Sequence, residues 1–280
     1  MKQLRNFSIA ILSSLCLFNI NSCKKTDDST LQLPPSSSLN MDFNFTSYTK
    51  SASATQTQLN HAIAAGTVLI WSFIAKTQTD IPSAAFKMAL ENKPVYNSID
   101  KIWEWSYITP IGDDKYNSKL TGNIVGDSVQ WKMYLSKVGD SNLFNYLWFE
   151  GKSNQGRTGG WWILNYPRSD GGVIVSEQGL KISWSFTSDQ IFSLKYLYIA
   201  SKKLDKDYKT YVNNDEKGGY IEFRRTTDQV YDAYYTIYSL KELKKYEIVW
   251  NIKNKNGQYT PGDKPKICWD ENLADQTCSN

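Results

Sequence analysis

Residues 180–187 have the sequence LKISWSFT, in which every second residue is apolar. The apolar positions are Leu180, Ile182, Trp184 and Phe186, and the polar positions are Lys181, Ser183, Ser185 and Thr187. Successive side chains of a β-strand point to opposite faces, so this period of two predicts a strand with one buried and one wet face. The same period recurs in residues 103–107, 128–136, 231–237 and 246–252. These runs predict a fold dominated by strands.

Pairs of turn-forming residues separate the strand-like runs. The pairs are Gly126-Asp127, Gly139-Asp140, Gly159-Gly160, Gly171-Gly172, Ser188-Asp189, Gly218-Gly219, Thr227-Asp228 and Asn256-Gly257. Such short gaps make neighbouring strands antiparallel, because a parallel return needs a crossover of about a dozen residues. We expect a long antiparallel meander of about nine to eleven strands. A sheet of this length curls into an open or closed barrel or, alternatively, splits into a two-layer sandwich.

The overall composition agrees with a β-rich fold and argues against nucleic acid as a partner. The chain is 14% aromatic, and aromatic side chains fit the pleated, half-buried surface of a sheet. The formal net charge is only +4, and the lysines are scattered along the chain. A nucleic-acid-binding protein would instead cluster its basic residues on one element.

A helical section precedes the strands, at about residues 55–91. Its first part has apolar or small residues in steps of four and three, at Leu59, Ile63, Gly66, Ile70 and Phe73. These positions form one helical face, which we expect to be buried against the sheet. Asp80 is expected to cap a second, shorter helix with Pro82 in its first turn. The predicted fold class is therefore α+β, mainly β, with the N-terminal helices packed on the sheet as a plug or lid.

The N-terminus has the layout of a secretion signal. Lys2 and Arg5 precede the apolar run of residues 7–17, and Ile20-Asn21-Ser22-Cys23 follows. These last four residues resemble the lipobox of bacterial lipoproteins. The resemblance implies that Cys23 receives a diacylglycerol and becomes the mature N-terminus. The alternative is a plain cleaved signal peptide in which Cys23 carries no lipid.

The resemblance to a lipobox implies a cellular location for the whole protein. Residues 24–28 (KKTDD) are similar to the export tag that sends some Gram-negative lipoproteins to the cell surface. The expected location is thus the cell envelope, on the outer membrane and exposed at its surface, with the membrane as a partner through the N-terminal lipid. We divide the chain into a signal peptide (1–22), a lipidated, disordered tether (23–40) and a single β-rich domain (41–280).

The order of elements over most of residues 55–260 is similar to that of the lipoprotein-localisation carriers, in which helices cover a curved antiparallel sheet. The similarity lies in the element order and in no quoted motif. It implies a curved sheet with the N-terminal helices as its lid.

The remaining cysteines predict a disulfide. Cys16 leaves with the signal peptide, so Cys268 and Cys278 are left as a pair near the C-terminus. In an oxidising compartment we expect these two residues to be bonded. A metal site would lack ligands, because His61 is the only histidine and no C-x-x-C is present. We expect no metal and no cofactor.

Catalytic motifs are missing from the sequence, so no catalytic residue is assigned. A Ser–His–acid or Cys–His arrangement would have to use His61, which lies on a predicted helix. Glycoside hydrolysis needs only two carboxylates and remains an enzymatic alternative. The glutamates flanked by aromatic residues are Glu104, Glu150, Glu222 and Glu247. They occupy the polar phase or the ends of their strands, where solvated side chains are the ordinary outcome.

Aromatic residues are the candidate ligand-binding groups. Trp161 and Trp162 follow the glycine-rich loop 156–160 and must point to opposite faces of a strand. Trp103, Trp105 and Trp148 are further candidates for lining a pocket. Aromatic rings can wall a cavity for a hydrophobic ligand or lipid, or stack on a glycan. They can also simply fill a wide β core.

The function predicted from sequence is a non-catalytic binding module for a hydrophobic ligand or lipid. Three alternatives stay open. They are capture of a surface glycan, carboxylate-dependent glycoside hydrolysis, and a structural role without a small ligand.

Overall fold

The structure is a computed structural model that describes residues 31–39, 58–140, 144–170, 173–186, 192–204 and 211–279. The predicted signal peptide, the lipobox-like residues 20–23 and Cys23 itself lie outside the described residues, so what the sequence predicts for them stays a prediction. The turn pairs Gly171-Gly172 and Ser188-Asp189 also lie outside them.

The described residues contain one short 3₁₀ helix, one α-helix and sixteen strands. The 3₁₀ helix is Ser36–Ser38, and α1 is Leu59–Glu91. The strands are β1 (Val95–Asn97), β2 (Ile102–Ile111), β3 (Asp114–Val125), β4 (Ser128–Lys137), β5 (Tyr146–Asn154), β6 (Gly159–Asp170), β7 (Val173–Phe186), β8 (Phe192–Tyr198), β9 (Lys202–Leu204), β10 (Tyr211–Asn213), β11 (Tyr220–Arg225), β12 (Ala233–Ser239), β13 (Lys244–Trp250), β14 (Gly257–Pro261), β15 (Ile267–Trp269) and β16 (Asp275–Gln276).

Fourteen of these strands form one antiparallel sheet. Its order follows the chain from β1 to β8 and continues from β11 to β16, while β9 and β10 form a separate two-stranded hairpin. The predicted antiparallel meander is confirmed, and it has more strands than the sequence predicted. In the described part of the chain no ladder joins β1 to β16, so the sheet is not closed by hydrogen bonds. The fold is mainly β with its helices N-terminal to the sheet.

The alternation of apolar and polar residues places the core on one face of the sheet. In β7, Leu180, Ile182 and Trp184 are buried, as their period of two predicts. Large indoles are accommodated by glycines on neighbouring strands. A Cβ on Gly151 would lie 2.3 Å from the Trp162 ring, and a Cβ on Gly257 would lie 2.3 Å from the Trp269 ring. At these two strand positions, the missing side chain leaves the space into which an indole packs against the backbone.

Helix α1 is continuous from Leu59 to Glu91, so the prediction of two helices divided at Asp80 is wrong. Pro82 lies inside the helix, where its ring removes one backbone hydrogen bond to the preceding turn. The helix continues because the residues after Pro82 are well packed. Ala85, Phe86 and Ala89 are all buried, and the Tyr107 hydroxyl donates to the carbonyl of Ala85 at 2.6 Å.

The orientation of α1 also differs from the prediction. The buried face is built mostly from small residues, at Ala64, Ala65, Val68, Ala75, Ala85, Phe86 and Ala89. The predicted buried face is largely exposed, since Leu59, Ile63, Ile70 and Phe73 all lie at the surface of the described structure. Small side chains let the helix backbone lie close to a sheet already crowded with indoles. None of the described helices is long and apolar enough to span a membrane.

The two ends of the meander both contact α1. The helix packs on β2 and β3 at one end of the sheet and on β14, β15 and β16 at the other. At its N-terminus, the backbone N–H of Asn60 donates to Asp275 Oδ1 at 2.8 Å, and Asn60 Nδ2 donates to the carbonyl of Cys268 at 2.9 Å. A carboxylate from the far end of the chain thus satisfies one of the free N–H groups at the helix start.

Residues 31–39 belong to the folded domain, which differs from the tether predicted for residues 23–40. Leu33 and Leu39 are buried in the main core. The Tyr196 hydroxyl donates to the carbonyl of Leu39 at 2.8 Å, and Trp162 Nε1 donates to Ser38 Oγ at 3.2 Å. The polar, proline-containing sequence suggested a solvated segment, but its few leucines supply apolar contacts that hold it on the sheet.

The predicted disulfide is confirmed. The sulfur atoms of Cys268 and Cys278 are at bonding distance, with their Cα atoms 5.3 Å apart. The bond ties the C-terminal tail to β15, next to the point where α1 begins. His61 packs edge-on against Trp269 there, with ring centroids 5.5 Å apart.

Candidate functional site

A cavity of about 420 Å³ lies between the middle of α1 and one part of the sheet. Its walls come from α1, β5, β6, β7 and β8, and its rim from the residues leading into β9. The apolar wall is formed by Ile81, Pro82, Trp148, Tyr166, Gly179 and Tyr198, and the charged rim by Arg168, Glu177, Lys202 and Lys203. This volume falls within the range of small-molecule sites.

A β-bulge shapes the floor of the cavity. Leu164 pairs with Leu180 and Asn165 pairs with Gln178, so Gly179 is the extra residue on β7. The Tyr166 ring lies directly over Gly179, where a Cβ would meet the ring at 1.8 Å. The freed Gly179 carbonyl accepts the backbone N–H groups of Ile199 and Ala200, at 3.0 and 3.2 Å. The bulge thus bends β7 and anchors the chain after β8 at the cavity wall.

The only carboxylate among the residues lining the cavity is fully engaged. Glu177 Oε2 pairs with Arg168 Nε at 3.0 Å, and Glu177 Oε1 accepts the backbone N–H groups of Ser201 and Lys202 at 2.9 and 3.0 Å. The two side chains of the Arg168–Glu177 pair are each about one-fifth exposed, so solvent weakens their attraction only in part. Glu177 therefore fixes the start of the β9–β10 hairpin against β7.

The remaining charge at the rim is positive. Lys203 pairs with Asp215, whereas Lys202 Nζ donates to the neutral side chain of Asn213 at 2.7 Å. Among the described residues no carboxylate pairs with Lys202. Three cationic side chains and one carboxylate line the cavity, which makes its rim attractive to an anion.

Two polar groups of the cavity wall are buried without a hydrogen-bond partner among the described residues. They are the indole Nε1 of Trp148 and the hydroxyl of Tyr198. Burial, with a smaller contribution from the charge of Glu216, raises the pKa of Tyr198 to about 12. Burial also raises the pKa of Tyr166. Both phenols therefore stay protonated at neutral pH. The Tyr198 hydroxyl is thus an O–H donor next to apolar surface.

A second, smaller cavity of about 320 Å³ lies along β2, β3 and β4. Most of its lining residues have polar side chains, among them Ser106, Asn117, Lys119 and Tyr134. The hydroxyl of Tyr107 at this cavity is already bonded to the helix. This cavity has neither the apolar wall nor the unpartnered buried donors of the first one.

The five predicted tryptophans have different environments, and one of them lines the larger cavity. Trp148 forms part of its wall. Trp105 and Trp162 are fully buried in the core, where Trp105 packs on Trp131 with centroids 5.9 Å apart. These two are therefore core residues in the structure.

Trp103 and Trp161 are half-buried and lie away from the larger cavity. Trp103 packs on Tyr96 with centroids 4.9 Å apart, and Lys181 Nζ lies 5.8 Å from the Trp161 ring centre. Neither residue belongs to the lining of either described cavity.

The candidate carboxylates for glycoside hydrolysis are spread over the sheet. Glu104 pairs with Lys119 at 3.2 Å, Glu222 with Lys195 at 3.9 Å, and Glu247 with Lys245 at 2.6 Å. These three glutamates and Glu150 are all absent from the lining of the two described cavities. His61 is buried against Trp269, and burial lowers its pKa. Within the described ranges no group of three or more histidine, cysteine or acidic side chains could hold a metal ion.

Sequence reasoning missed the charged half of the larger cavity. Arg168 and Glu177 face each other only because β6 and β7 pair with a bulge, and Lys202 reaches them through the backbone contacts of Glu177. One signal was available in the sequence. A lone glycine at position 179, immediately before the clean alternation of residues 180–187, is typical of a bulge.

The comparisons with known proteins found no match: no family model, no curated protein and no solved structure is similar to this chain.

Proposed function

We propose that this chain is a lipid-anchored protein of the cell envelope that binds a hydrophobic ligand with an anionic group, without catalysing a reaction. The observation that supports this most directly is the larger cavity, with an apolar wall at one side and an excess of cations at its rim. An apolar body would pack on Ile81, Pro82 and Trp148. A carboxylate or phosphate would lie near Lys202 and Arg168. A fatty acid or a phospholipid has this chemistry.

The proposed mechanism is equilibrium binding driven by two separate terms. Burying apolar surface contributes roughly 25 cal/mol per Å² and is insensitive to salt. Attraction of the head group to the rim depends on charge and weakens as ionic strength rises. The buried N–H of Trp148 and O–H of Tyr198 would favour a ligand that places a hydrogen-bond acceptor beside them. A purely apolar ligand would leave these two donors without a partner, which is unfavourable.

We further propose that the sheet forms an open barrel and that α1 bridges its two edges. The contacts of the helix with β2 and β3 at one end and with β14 to β16 at the other support this arrangement over a two-layer sandwich. In such a barrel the helix separates the cavity from solvent. Ligand entry would then be controlled at the rim beside the β9–β10 hairpin.

The proposed anchor is a lipid on Cys23, in the outer membrane and facing the cell surface. Seven residues separate Cys23 from the packed Leu31. At about 3.3 Å per residue, the domain would stay within roughly 30 Å of the bilayer surface. This short distance suits a protein that takes its ligand from a membrane. Intact mass spectrometry of protein from native membranes tests the anchor, and an unacylated chain that begins at another residue would contradict it.

Binding of laurate and of dodecanol to the full chain in detergent-matched buffer tests the ligand class. The two probes share an apolar chain and differ in charge. We expect laurate to bind more tightly, and the variant Lys202→Gln to weaken laurate about fivefold or more while leaving dodecanol unchanged, because one cation is removed from the rim. Lys132→Gln, at an exposed lysine of β4, is the matched control.

Equal affinity for the two probes in the wild-type protein would contradict the anionic part of the proposal. Failure of both probes to bind would contradict the hydrophobic ligand itself and favour the glycan alternative. That alternative has two supporting observations. Trp161 is half-exposed beside Lys181, and Tyr220 and Tyr238 pack together with ring centroids 5.7 Å apart.

A further inference from the structure

The first half of α1 exposes a continuous apolar stripe. Leu59, Ile63, Ile70 and Phe73 are between 44% and 66% exposed, and Leu69 beside them is 42% exposed. No charged residue occurs between Leu59 and Ala75. The opposite face of the same helix is packed on the sheet, so the stripe points away from the core.

The spacing of the stripe is that of a helix–helix seam. Leu59, Ile63, Gly66, Ile70 and Phe73 are separated by steps of four, three, four and three. This strict period of 3.5 is the pattern of the contact positions in a coiled coil, and it is narrower than the stripe with which a single helix faces a globular core. The core-facing residues of α1 occupy other positions.

The stripe is self-complementary about its centre. Gly66 lies seven residues from Leu59 and seven from Phe73, with Ile63 and Ile70 between them. In an antiparallel pair with a two-fold axis at Gly66, Leu59 of one copy faces Phe73 of the other, and Ile63, three residues before the axis, faces Leu69, three residues after it. No atom lies within 4 Å of the position that a Gly66 Cβ would occupy, so this glycine meets no other part of the described chain. A glycine at the axis lets two helices cross closely.

We propose that this stripe is the interface of an antiparallel homodimer, in which α1 helices from two copies cross at Gly66. The five large side chains of the stripe are between 42% and 66% exposed. If a partner copy covered all of them, the pair would bury at most on the order of 1,000 Å², the low end for a specific interface. The interface is isologous, since each copy contributes the same stripe. The cavity is lined by α1 residues beyond Phe73 and stays outside the seam.

The oligomeric state of the full chain tests this proposal. We expect sedimentation in density-matched detergent to give a dimer for the wild-type protein at micromolar concentration. Ile70→Glu places a carboxylate in both halves of the seam, next to the Leu69 that faces Ile63 of the other copy, so it should raise the dissociation constant of the dimer by more than about 100-fold. Ile99→Glu makes the same change at a loop residue that is 90% exposed, and it should leave the dimer intact. Circular dichroism checks that both variants are folded.

Cysteine cross-linking tests the antiparallel arrangement. Gly66→Cys should form an intermolecular disulfide, because the two copies of residue 66 meet at the axis. Lys76→Cys lies ten residues from the axis, which separates its two copies by about 30 Å along the helices, so it should not cross-link. Mixed Leu59→Cys and Phe73→Cys proteins should cross-link with each other, and neither should do so alone.

Three results would overturn the proposal. A wild-type monomer with Phe73→Cys protected from alkylation would mean that another part of the same chain covers the stripe. A monomer that binds lipid vesicles, with binding lost in Ile70→Glu, would assign the stripe to a membrane surface. Cross-links between two Leu59→Cys copies would make the pair parallel.

Discussion

At the scale of single residues, the cavity depends on the close approach of Tyr166 to Gly179. The ring occupies the space of a missing side chain, and the bulge at Gly179 brings Arg168 and Glu177 together on neighbouring strands. Two further residues of the wall, Trp148 and Tyr198, keep polar atoms buried without a partner among the described residues. The site therefore combines tight backbone packing with two buried polar groups for which the described residues supply no hydrogen-bond partner.

Gly179→Ala should destabilise the protein and disturb the cavity. The new methyl group would overlap the Tyr166 ring, so the ring or the bulge has to move, at a cost of about 1–3 kcal/mol in the free energy of unfolding. Urea denaturation measures this change. Gly156→Ala is the control, because its Cβ would meet nothing closer than 4.0 Å. Equal stability of the two variants would contradict the role assigned to Gly179.

Tyr198→Phe should change how stability depends on pH. The pKa of Tyr198 is raised to about 12 in the folded protein, above its ordinary value of 10.0. Below pH 10 the phenol is protonated in both states, and between pH 10 and 12 only the unfolded state ionises. The free energy of unfolding therefore falls as pH rises through that window, by about 2–3 kcal/mol for this residue.

The Tyr198→Phe variant should lose that part of the alkaline decrease. At pH 7 it should be at least as stable as the wild-type protein, because the hydroxyl that it removes has no partner among the described residues. Denaturation at pH 7, 10 and 11.5 makes the comparison. A clear loss of stability at pH 7 would show that the hydroxyl makes a stabilising hydrogen bond.

At the scale of elements, the start of α1 is held by the opposite end of the chain. Gln58, which precedes the helix, makes no side-chain capping bond within its own turn. The partners come instead from the C-terminal loop, where Asp275 accepts the N–H of Asn60 and Asn272 accepts Gln58 Nε2. The Cys268–Cys278 disulfide closes that loop, so a covalent bond at the C-terminus supports the N-terminus of the helix.

Removing the disulfide should loosen the first turns of α1 selectively. For the double variant Cys268→Ser and Cys278→Ser, we expect a loss of about 2–3 kcal/mol in the free energy of unfolding, since the bond closes a short loop. Amide hydrogen exchange should accelerate in residues 60–65 and stay unchanged near Phe86. Each single variant should match the double one. Uniform acceleration along the helix would contradict a local role for the disulfide.

At the scale of the whole molecule, segments distant in sequence meet on one face of one sheet. The 3₁₀ segment at residues 31–39 packs beneath β6, β7 and β8, and α1 packs on strands from both ends of the meander. The sheet itself is built from neighbouring hairpins, but these two elements connect hairpins that do not touch each other. They therefore make the core a single cooperative unit.

Leu39→Ala should destabilise the whole domain although it lies far from the strands in sequence. Leu39 is fully buried, and removing a buried leucine side chain costs about 2–5 kcal/mol. Leu90→Ala, at a half-exposed leucine of α1, should cost far less. Thermal denaturation of the full chain compares them. Equal melting temperatures for Leu39→Ala and the wild-type protein would mean that residues 31–39 act as a tether after all.

The strands, their antiparallel order and the disulfide could be predicted from the sequence. The alternation in residues 180–187 and its counterparts predicted strands and their buried faces, because a period of two leaves one face without polar groups. Turn residues predicted antiparallel neighbours, and the positions of Cys268 and Cys278 predicted their bond. The strand and turn predictions depend only on local geometry, and the disulfide prediction depends on an oxidising compartment. None of them requires knowledge of contacts between distant parts of the chain.

Only the tertiary structure decided which face of α1 is buried and where the cavity lies. The stripe from Leu59 to Phe73 and the alanine-rich face opposite it both have a helical period, so the sequence pattern fits burial of either face. The alanine-rich face is buried because indoles already fill the sheet surface and leave room only for small side chains. The same competition for space put Trp105 and Trp162 in the core and left Trp148 at the cavity. The meeting of Arg168, Glu177 and Lys202 needed the register of β6 and β7, which is set by packing across the sheet. Gly179 is a local signal for a bulge, but it does not indicate which side chains the bulge brings together.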